Sequence, residues 1–343
     1  MKKRALLLVL VVVLVASVFA GCTGSKPTVK IYNAGKYIDR SVLKDFEDEF
    51  GVKVIYNEFD SNENMYVKIA NDTYTYDVVV PSDYLIDRLI KEDRVIQLDK
   101  AKIPNLANVK AEYLGPVYDS SNDYSVPYMV GTLGILYNKT MVDETVDSWD
   151  ILWDAKYANQ IFIWDSVRDA VGMALKAAGF GMNSTDDTEL AQAKQLLLDQ
   201  KPLVQAYISD EMTDKMIANE GALGLIYSGD AISAIDENDD LAYVVPKEGS
   251  NKWTDAFVVL KTAKQPELAQ QFIDFMCRPE IAMRNMEETG YTSPIEGAAT
   301  EEMLSDEVMF PSAETLENCE EFIYSPELTQ KFSDIWVEVT SSK

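Results

Sequence analysis

Short apolar runs alternate with amphipathic segments along this sequence, and the alternation limits the possible folds more than any other feature. Residues 29–33 and 52–56 have the period-two apolar pattern of strands. Residues 41–50, followed by Gly51, have the apolar spacing and the stop residue of a helix. Residues 77–81 contain a short continuous apolar run of three valines, which is typical of a parallel strand buried on both faces. This alternation predicts a doubly wound α/β sheet.

The same pattern returns in the second half of the chain. Residues 161–164 and 223–227 have the pattern of strands; a helix start follows the first run and a turn follows the second. We therefore expect two α/β lobes with a cleft between them. In such sheets ligands bind beyond the carboxyl ends of the strands, which selects the loops 33–37 and 81–84.

Residues 1–21 have the pattern of a lipoprotein-type signal peptide. A positively charged start precedes an apolar run at residues 5–15, which is too short for a comfortable transmembrane helix. The small residues before Cys22 look like a bacterial lipobox, so we expect Cys22 to be lipidated and residues 22–27 to form a tether. The chain would then be exported and anchored to the outer face of the cell membrane, or in the periplasm. The alternative is an ordinary secretory signal with an incidental cysteine.

The charge balance excludes several classes of function. The 343 residues include 57 Asp and Glu, 31 Lys and Arg and no His, which gives a formal charge of −26. Without histidine the chain cannot build a Ser-His-Asp or Cys-His catalytic centre, and it lacks the commonest transition-metal ligand. The acidic excess argues against nucleic-acid binding and suits a cationic ligand. We expect no metal and no cofactor.

Two further cysteines remain in the exported chain. Cys277 and Cys319 could form one disulfide, but the sequence does not show that they meet. Cys277 lies on an apolar helix face, which favours a buried free thiol.

Aromatic and acidic residues recur in the segments that should border the cleft. Tyr37, Tyr84 and Tyr227 follow predicted strands, whereas Trp253 and Asp255 are two residues apart and would share one face of a strand. Aromatic rings beside carboxylates suit an extended aliphatic polycation. Its methylene groups can lie against the rings, and its ammonium groups gain cation–π attraction and charge-assisted hydrogen bonds.

An acid pair offers an alternative from another class. Asp165 and Asp169 are four residues apart at a predicted helix start, and paired carboxylates of this kind serve glycosidases. Acids in that position usually complement the helix dipole instead. A surface carbohydrate-active enzyme therefore stays the less favoured interpretation.

Several ordered segments resemble one known family, the spermidine/putrescine-binding proteins of bacterial polyamine ABC importers. The resemblance covers essentially the whole mature chain and is carried most clearly by residues 76–84, 165–169, 227–231 and 253–255. It implies a type II periplasmic-binding-protein fold, as in the family 1 extracellular solute-binding proteins. It also implies lobes built from two segments each, as follows: 28–132 plus 256–304, and 133–255 plus 305–343.

The resemblance further implies which residues contact the ligand. Asp255 would hold an ammonium group at the centre of the slot, Asp169 would serve the other end, and Ser82 would add a polar contact. Asp165 stands beside the position where some members carry a ligand acid. The aromatic walls would be Tyr37, Tyr84, Tyr227, Trp253 and Tyr291.

Two departures from the family pattern weaken the identification of the ligand. Ala34 stands where the family commonly has tryptophan, and Lys36 replaces an acid. The overall expectation is a monomeric, non-enzymatic receptor, held to the membrane by a lipid on Cys22, that passes a polyamine to an ABC permease and its ATPase. The alternatives are the same fold with another cationic amine, or a sensor that reports polyamine without delivering it.

Overall fold

The computed structural model describes residues 26–71 and 74–342. The predicted signal peptide and Cys22 lie outside the described residues. The nine strands of this part of the chain are Thr28–Ala34 (β1), Lys53–Phe59 (β2), Val78–Val79 (β3), Ser125–Asn138 (β4), Ile161–Trp164 (β5), Val204–Ile208 (β6), Leu223–Tyr227 (β7), Leu241–Val244 (β8) and Lys252–Val259 (β9).

The long strand β4 connects two groups of strands. Its residues 125–132 pair antiparallel with β9, whose other edge pairs with β3, and β1 and β2 follow in parallel. Its residues 133–137 pair instead with β7, which lies parallel to β5, and β6 follows. We call β1, β2, β3 and β9 with residues 125–132 of β4 the first unit. The second unit consists of the rest of β4 with β5, β6, β7 and β8. The expected pair of α/β lobes is confirmed.

Helices cover both units. Those of at least seven residues are Arg40–Phe50 (α1), Asn62–Ala70 (α2), Asp83–Lys91 (α3), Val167–Ala177 (α4), Asp187–Gln200 (α5), Glu211–Ile217 (α6), Ser228–Glu237 (α7), Pro266–Met276 (α8), Pro279–Thr289 (α9) and Pro326–Ser341 (α12). Two short turns of helix between α9 and α12 are Glu301–Leu304 (α10) and Ala313–Leu316 (α11). None of the helices in the described part of the chain is long and apolar enough to cross a membrane.

Local signals explain the predicted first helix. The Asp39 carboxylate accepts a 2.7 Å hydrogen bond from the backbone N–H of Ser41 and caps α1. Gly51 takes a left-handed φ of 66° and ends it. The buried ring of Phe46 packs edge-on against Phe272 of α8 at 5.2 Å, which fixes α1 on the first unit.

The carboxyl-terminal part of the chain returns to the second unit. Met309 and Phe310 still pack in the core of the first unit, beside residues of β1 and β9. Glu320 then pairs with the linker before β9, and Phe332 of α12 is buried in the core of the second unit. The lobe limits expected at residues 132/133, 255/256 and 304/305 stay predictions.

Both remaining cysteines are free thiols. Cys277 and Cys319 are buried and not bonded to one another, and burial raises the pKa of the Cys277 thiol well above its ordinary value. The predicted free thiol at Cys277 is confirmed.

Candidate functional site

Most of the predicted ligand-binding residues gather where the two units meet. They lie on β9, at the end of β7, on loops that follow β1, β3 and α9, or in the first turns of α3 and α4, and their side chains are buried or half-buried. They are Tyr37, Ser82, Tyr84, Asp169, Tyr227, Trp253, Asp255 and Tyr291. Asp165 differs from these because its side chain is exposed.

Aromatic rings form a continuous row across the junction. Tyr37 of the first unit meets Tyr291 with ring centroids 5.2 Å apart, and Tyr291 meets Trp253 at 5.3 Å. Trp253 meets Tyr227 at 6.2 Å, and Tyr227 meets Trp164 of the second unit at 5.0 Å. All four contacts are edge-on or steeply inclined, the geometry that aromatic pairs prefer.

Asp255 lies in the middle of this region. It follows Trp253 by two residues on β9, and its backbone forms an antiparallel bridge with Ser82. Its Oδ1 atom is buried without a hydrogen-bond partner among the described residues. Burial raises the pKa of Asp255 to about 6, although the nearby hydroxyls of Ser82 and Tyr37 act in the opposite direction.

Asp169 supplies a second acid from α4. Its side chain is 3% exposed, and Oδ2 accepts a 2.5 Å hydrogen bond from the Tyr227 hydroxyl while Oδ1 has no partner in the described structure. Burial raises the pKa of Asp169. Asp165 does not join it, because the helix begins only after Ser166, which is the N-cap. The expected side-by-side carboxylate pair on one helix face is therefore wrong.

Ser82 forms hydrogen bonds with Asn62 at the start of α3. It occupies the N-cap position of α3 but makes no capping hydrogen bond with its side chain. Its hydroxyl accepts a 2.9 Å bond from the Asn62 amide instead, and its N–H donates to the same amide. The paired Asn62 holds the loop after β3 in place beside Asp255.

A further acid and a lysine lie at the opposite side of the aromatic row. Asp230 accepts a 2.5 Å hydrogen bond from the Tyr291 hydroxyl, and burial raises the pKa of Asp230 to about 6. Burial raises the pKa of Asp210 as well, and the Lys36 ammonium partly opposes the shift at both acids. Lys36, which replaces an acid of the family, is thus directed towards acids of the second unit.

Arg168 connects the two units next to Asp169. Its guanidinium carbon lies 3.9 Å from the centroid of the Tyr84 ring, and its Nε atom lies 3.9 Å from the Glu63 carboxylate. Its Nη2 atom donates to the Thr329 hydroxyl of α12 at 3.0 Å. The second unit therefore presents a cation to an aromatic ring and an acid of the first unit, and the cleft is closed.

Several buried polar atoms at this junction lack a hydrogen-bond partner among the described residues. They are Tyr37 OH, Asp83 Oδ2, Arg168 Nη1, Asp169 Oδ1, Trp253 Nε1 and Asp255 Oδ1. Buried polar atoms in folded proteins nearly always have partners, so such a concentration needs a reason. Three of the six are carboxylate oxygens, which can accept bonds from ammonium groups.

The sequence interpretation missed two residues of the junction. Asp83 stood in the selected loop 81–84, but an acid in the first turn of a helix is explained by the helix dipole alone. Arg168 lay within the segment 165–169 that carried the family resemblance. Only its contacts with Tyr84 and Glu63, more than 80 positions away, reveal its place between the units.

Comparison with known proteins gives consistent matches. Residues 41–312 match the family model described as bacterial extracellular solute-binding protein. The chain is 36% identical over 298 residues to the spermidine/putrescine-binding periplasmic protein of Salmonella typhimurium, covering 84% of each chain.

Solved structures agree with the sequence matches. The spermidine/putrescine ABC transporter substrate-binding protein PotD of Streptococcus pneumoniae superimposes with a TM-score of 0.80 at 39% identity, covering 92% of this chain and 98% of that one. The TpPotD lipoprotein of Treponema pallidum superimposes with a TM-score of 0.83 at 26% identity, covering 91% and 99%.

Proposed function

The chain belongs to the bacterial extracellular solute-binding proteins, in the group that serves polyamine ABC transporters, and from that premise we propose that the junction of its two units is the polyamine slot. The protein binds a polyamine and delivers it to an ABC importer. Spermidine and putrescine are the amines named for the relatives. The fold is that of the type II periplasmic binding proteins.

One observation supports the slot most directly: Asp255 keeps a carboxylate oxygen buried inside the row of aromatic rings, with no partner in the part of the chain that the structure describes. An unpaired buried charge is costly, and an ammonium group would supply the missing partner. A charge-assisted hydrogen bond contributes about 1.5–3 kcal/mol. Cation–π contact with a ring such as Trp253 adds about 0.5–2 kcal/mol.

Asp169 and the remaining rings extend the slot on either side of Asp255. The Tyr227 hydroxyl already satisfies one oxygen of Asp169, which leaves Oδ1 for an ammonium group. The methylene segments between ammonium groups would lie against Tyr37, Trp253 and Tyr227. Ser82 orders the loop that faces them through its bonds to Asn62. Asp165, which is exposed, would add only long-range attraction.

Closure of the two units around the ligand completes the proposal. The lobes would be 28–132 plus 256–304 and 133–255 plus 305–343, and they would move about the point in β4 where its pairing changes. Arg168 favours the closed form through Tyr84 and Glu63. Closure removes water from the ammonium–carboxylate contacts and so strengthens them. A monomer in the closed form would then dock on the permease.

Calorimetric titration of the protein without its first 25 residues tests the slot. Spermidine and putrescine should each bind saturably, and Asp255→Asn should weaken both by about tenfold or more, since a charge-assisted bond is lost. Asp240→Asn removes the same charge from an exposed turn and serves as the control. Absence of heat with both amines would reject the polyamine slot. Unchanged affinity in Asp255→Asn would reject the role of Asp255.

The chain belongs to an extracellular family, and we propose separately that a lipid on Cys22 anchors it to the membrane. It is supported by the small residues before Cys22 and by the description of one structural relative as a lipoprotein. Mass spectrometry of the protein from bacterial membranes should find the mature chain beginning at an acylated Cys22. Cys22→Ser should release it from the membrane fraction. Detection of an unmodified amino terminus at another residue would contradict the anchor.

The relatives are transport proteins, and we propose that this chain likewise has no enzymatic activity. The exposed position of Asp165 and the bond between Asp169 and Tyr227 give no support to a paired-carboxylate hydrolase.

A further inference from the structure

Asp83 is a buried carboxylate that none of the roles described above uses. It begins α3 and is 2% exposed. Its Oδ1 atom accepts a 2.6 Å hydrogen bond from the backbone N–H of Tyr84. Its Oδ2 atom is buried and has no partner among the described residues. One half of this carboxylate is therefore satisfied by its own helix, and the other half is not.

The surroundings of Asp83 place it at the slot. It follows Ser82, whose backbone is bridged to that of Asp255. The next residue, Tyr84, contacts Arg168 of the second unit, so Asp83 lies at the junction between the units. Burial raises the pKa of Asp83, and the negative charges of Glu321 and Asp255 act in the same direction.

A purely structural role does not account for this arrangement. The helix dipole favours an acid in the first turn of α3, but it supplies no hydrogen-bond partner for a buried carboxylate oxygen. The charge of Arg168 lowers the pKa of Asp83, but burial outweighs it and the pKa stays raised. The Arg168 guanidinium is directed instead at Tyr84, Glu63 and Thr329.

We propose that Asp83 holds an additional ammonium group beside the one at Asp255, so that this protein prefers a triamine to a diamine. The inference rests on the proposed polyamine slot. Asp83, Asp169 and Asp255 each have one buried oxygen without a partner among the described residues. Three ammonium groups can satisfy all three acids, whereas a diamine leaves one of them buried and unpaired, which weakens its binding.

The test compares a triamine with a diamine. Spermidine and putrescine are titrated into the unaltered protein, into Asp83→Asn and into the control Asp87→Asn. Asp87 lies one turn further along α3, where it is ion-paired with Lys91 at 2.7 Å. The asparagine at position 83 keeps an oxygen for the N–H of Tyr84, so the start of the helix is preserved.

Asp83→Asn should weaken spermidine binding by about tenfold, which corresponds to one charge-assisted contact, and should change putrescine binding by less than about threefold. Without ligand it should melt at the same temperature as the unaltered protein or higher, because an unpaired buried carboxylate is removed. Asp87→Asn should bind both amines normally.

Other results would overturn the inference. Equal losses for both amines, or no loss for either, would show that Asp83 does not serve a third ammonium group. A lower melting temperature with normal binding would assign Asp83 to a structural pair with Arg168. If the unaltered protein bound neither amine, the polyamine slot itself would be rejected, and the inference would fall with it.

Discussion

Polyamine binding should weaken when the pH falls below about 6, because Asp255 has to be ionised to hold an ammonium group. Burial raises the pKa of this carboxyl from its ordinary 3.8 to about 6. The amines keep their charge over the same range, since alkyl ammonium groups resemble lysine and lose their proton only near pH 10. The pH dependence below neutrality therefore reports on the protein.

The magnitude follows from the ionised fraction of the free protein. With a pKa of about 6, roughly nine-tenths of Asp255 is ionised at pH 7, half at pH 6 and one-tenth at pH 5. Affinity should fall by about tenfold between pH 7 and pH 5 from this group alone. Near pH 6, binding should release about half a proton per ligand from Asp255. Burial also raises the pKa values of Asp169 and Asp83, so protonation of these acids can only steepen the loss of affinity at low pH.

Calorimetry at pH 7, 6 and 5, in buffers with different ionisation enthalpies, measures both quantities. Circular dichroism at each pH shows whether the protein stays folded. The variant Asp255→Asn should bind more weakly but lose the part of the pH dependence that this carboxyl causes. An affinity that is constant within twofold from pH 7 to pH 5, in folded unaltered protein, would refute the reasoning.

Three other changes test further parts of the structure. Without ligand, Asp255→Asn should raise the free energy of unfolding by up to about 3 kcal/mol above pH 6, because an acid whose pKa is raised in the folded protein destabilises the fold once it ionises. Urea unfolding at several pH values should show that this gain in stability vanishes below about pH 4. Gly249→Ala should destabilise the protein by more than about 1 kcal/mol, because φ is +87° and a Cβ would stand 1.9 Å from the Asn318 carbonyl oxygen. Gly297 has a φ of +74° and open space around it, so Gly297→Ala should reduce the free energy of unfolding by less in the same experiment. Ala34→Trp should tighten spermidine binding in calorimetry if the slot only lacks one aromatic wall, and unchanged or weaker binding would indicate a rearranged pocket.

The regular elements near the amino terminus were predictable because their signals are local. The strand at residues 29–33 and the helix at residues 41–50 reappear as β1 and α1 with nearly the same limits. Periodicity and a stop glycine are sufficient there, since both elements have one clear buried face.

Strand β4 was harder to predict because its sequence contains residues that usually interrupt a strand. Pro127 lies inside it at an irregularity in the pairing with β9, and two glycines follow. A Cβ at Gly131 would approach the Trp253 ring to 2.5 Å, and one at Gly134 would approach the Val244 carbonyl oxygen to 2.4 Å. These glycines are required by neighbours that the local sequence does not reveal.

The slot shows the same division between local and long-range information. The row of rings could be anticipated from loop positions and from the family resemblance. Two contacts could not be anticipated, because they join segments that are distant in the sequence. They are the hydrogen bond between Tyr227 and Asp169 and the contact of Arg168 with Tyr84. The pairing of Asp165 with Asp169 was wrong because sequence spacing alone did not show that the helix begins after Ser166.

The central claim is that Asp255 holds an ammonium group of the ligand inside the aromatic row. A crystal structure of the protein grown with spermidine tests this claim most directly. We expect one amine nitrogen at about 3 Å from Asp255 Oδ1, with neighbouring methylene groups against Trp253. An amine bound elsewhere, or one that leaves Asp255 Oδ1 without a contact, would contradict the account.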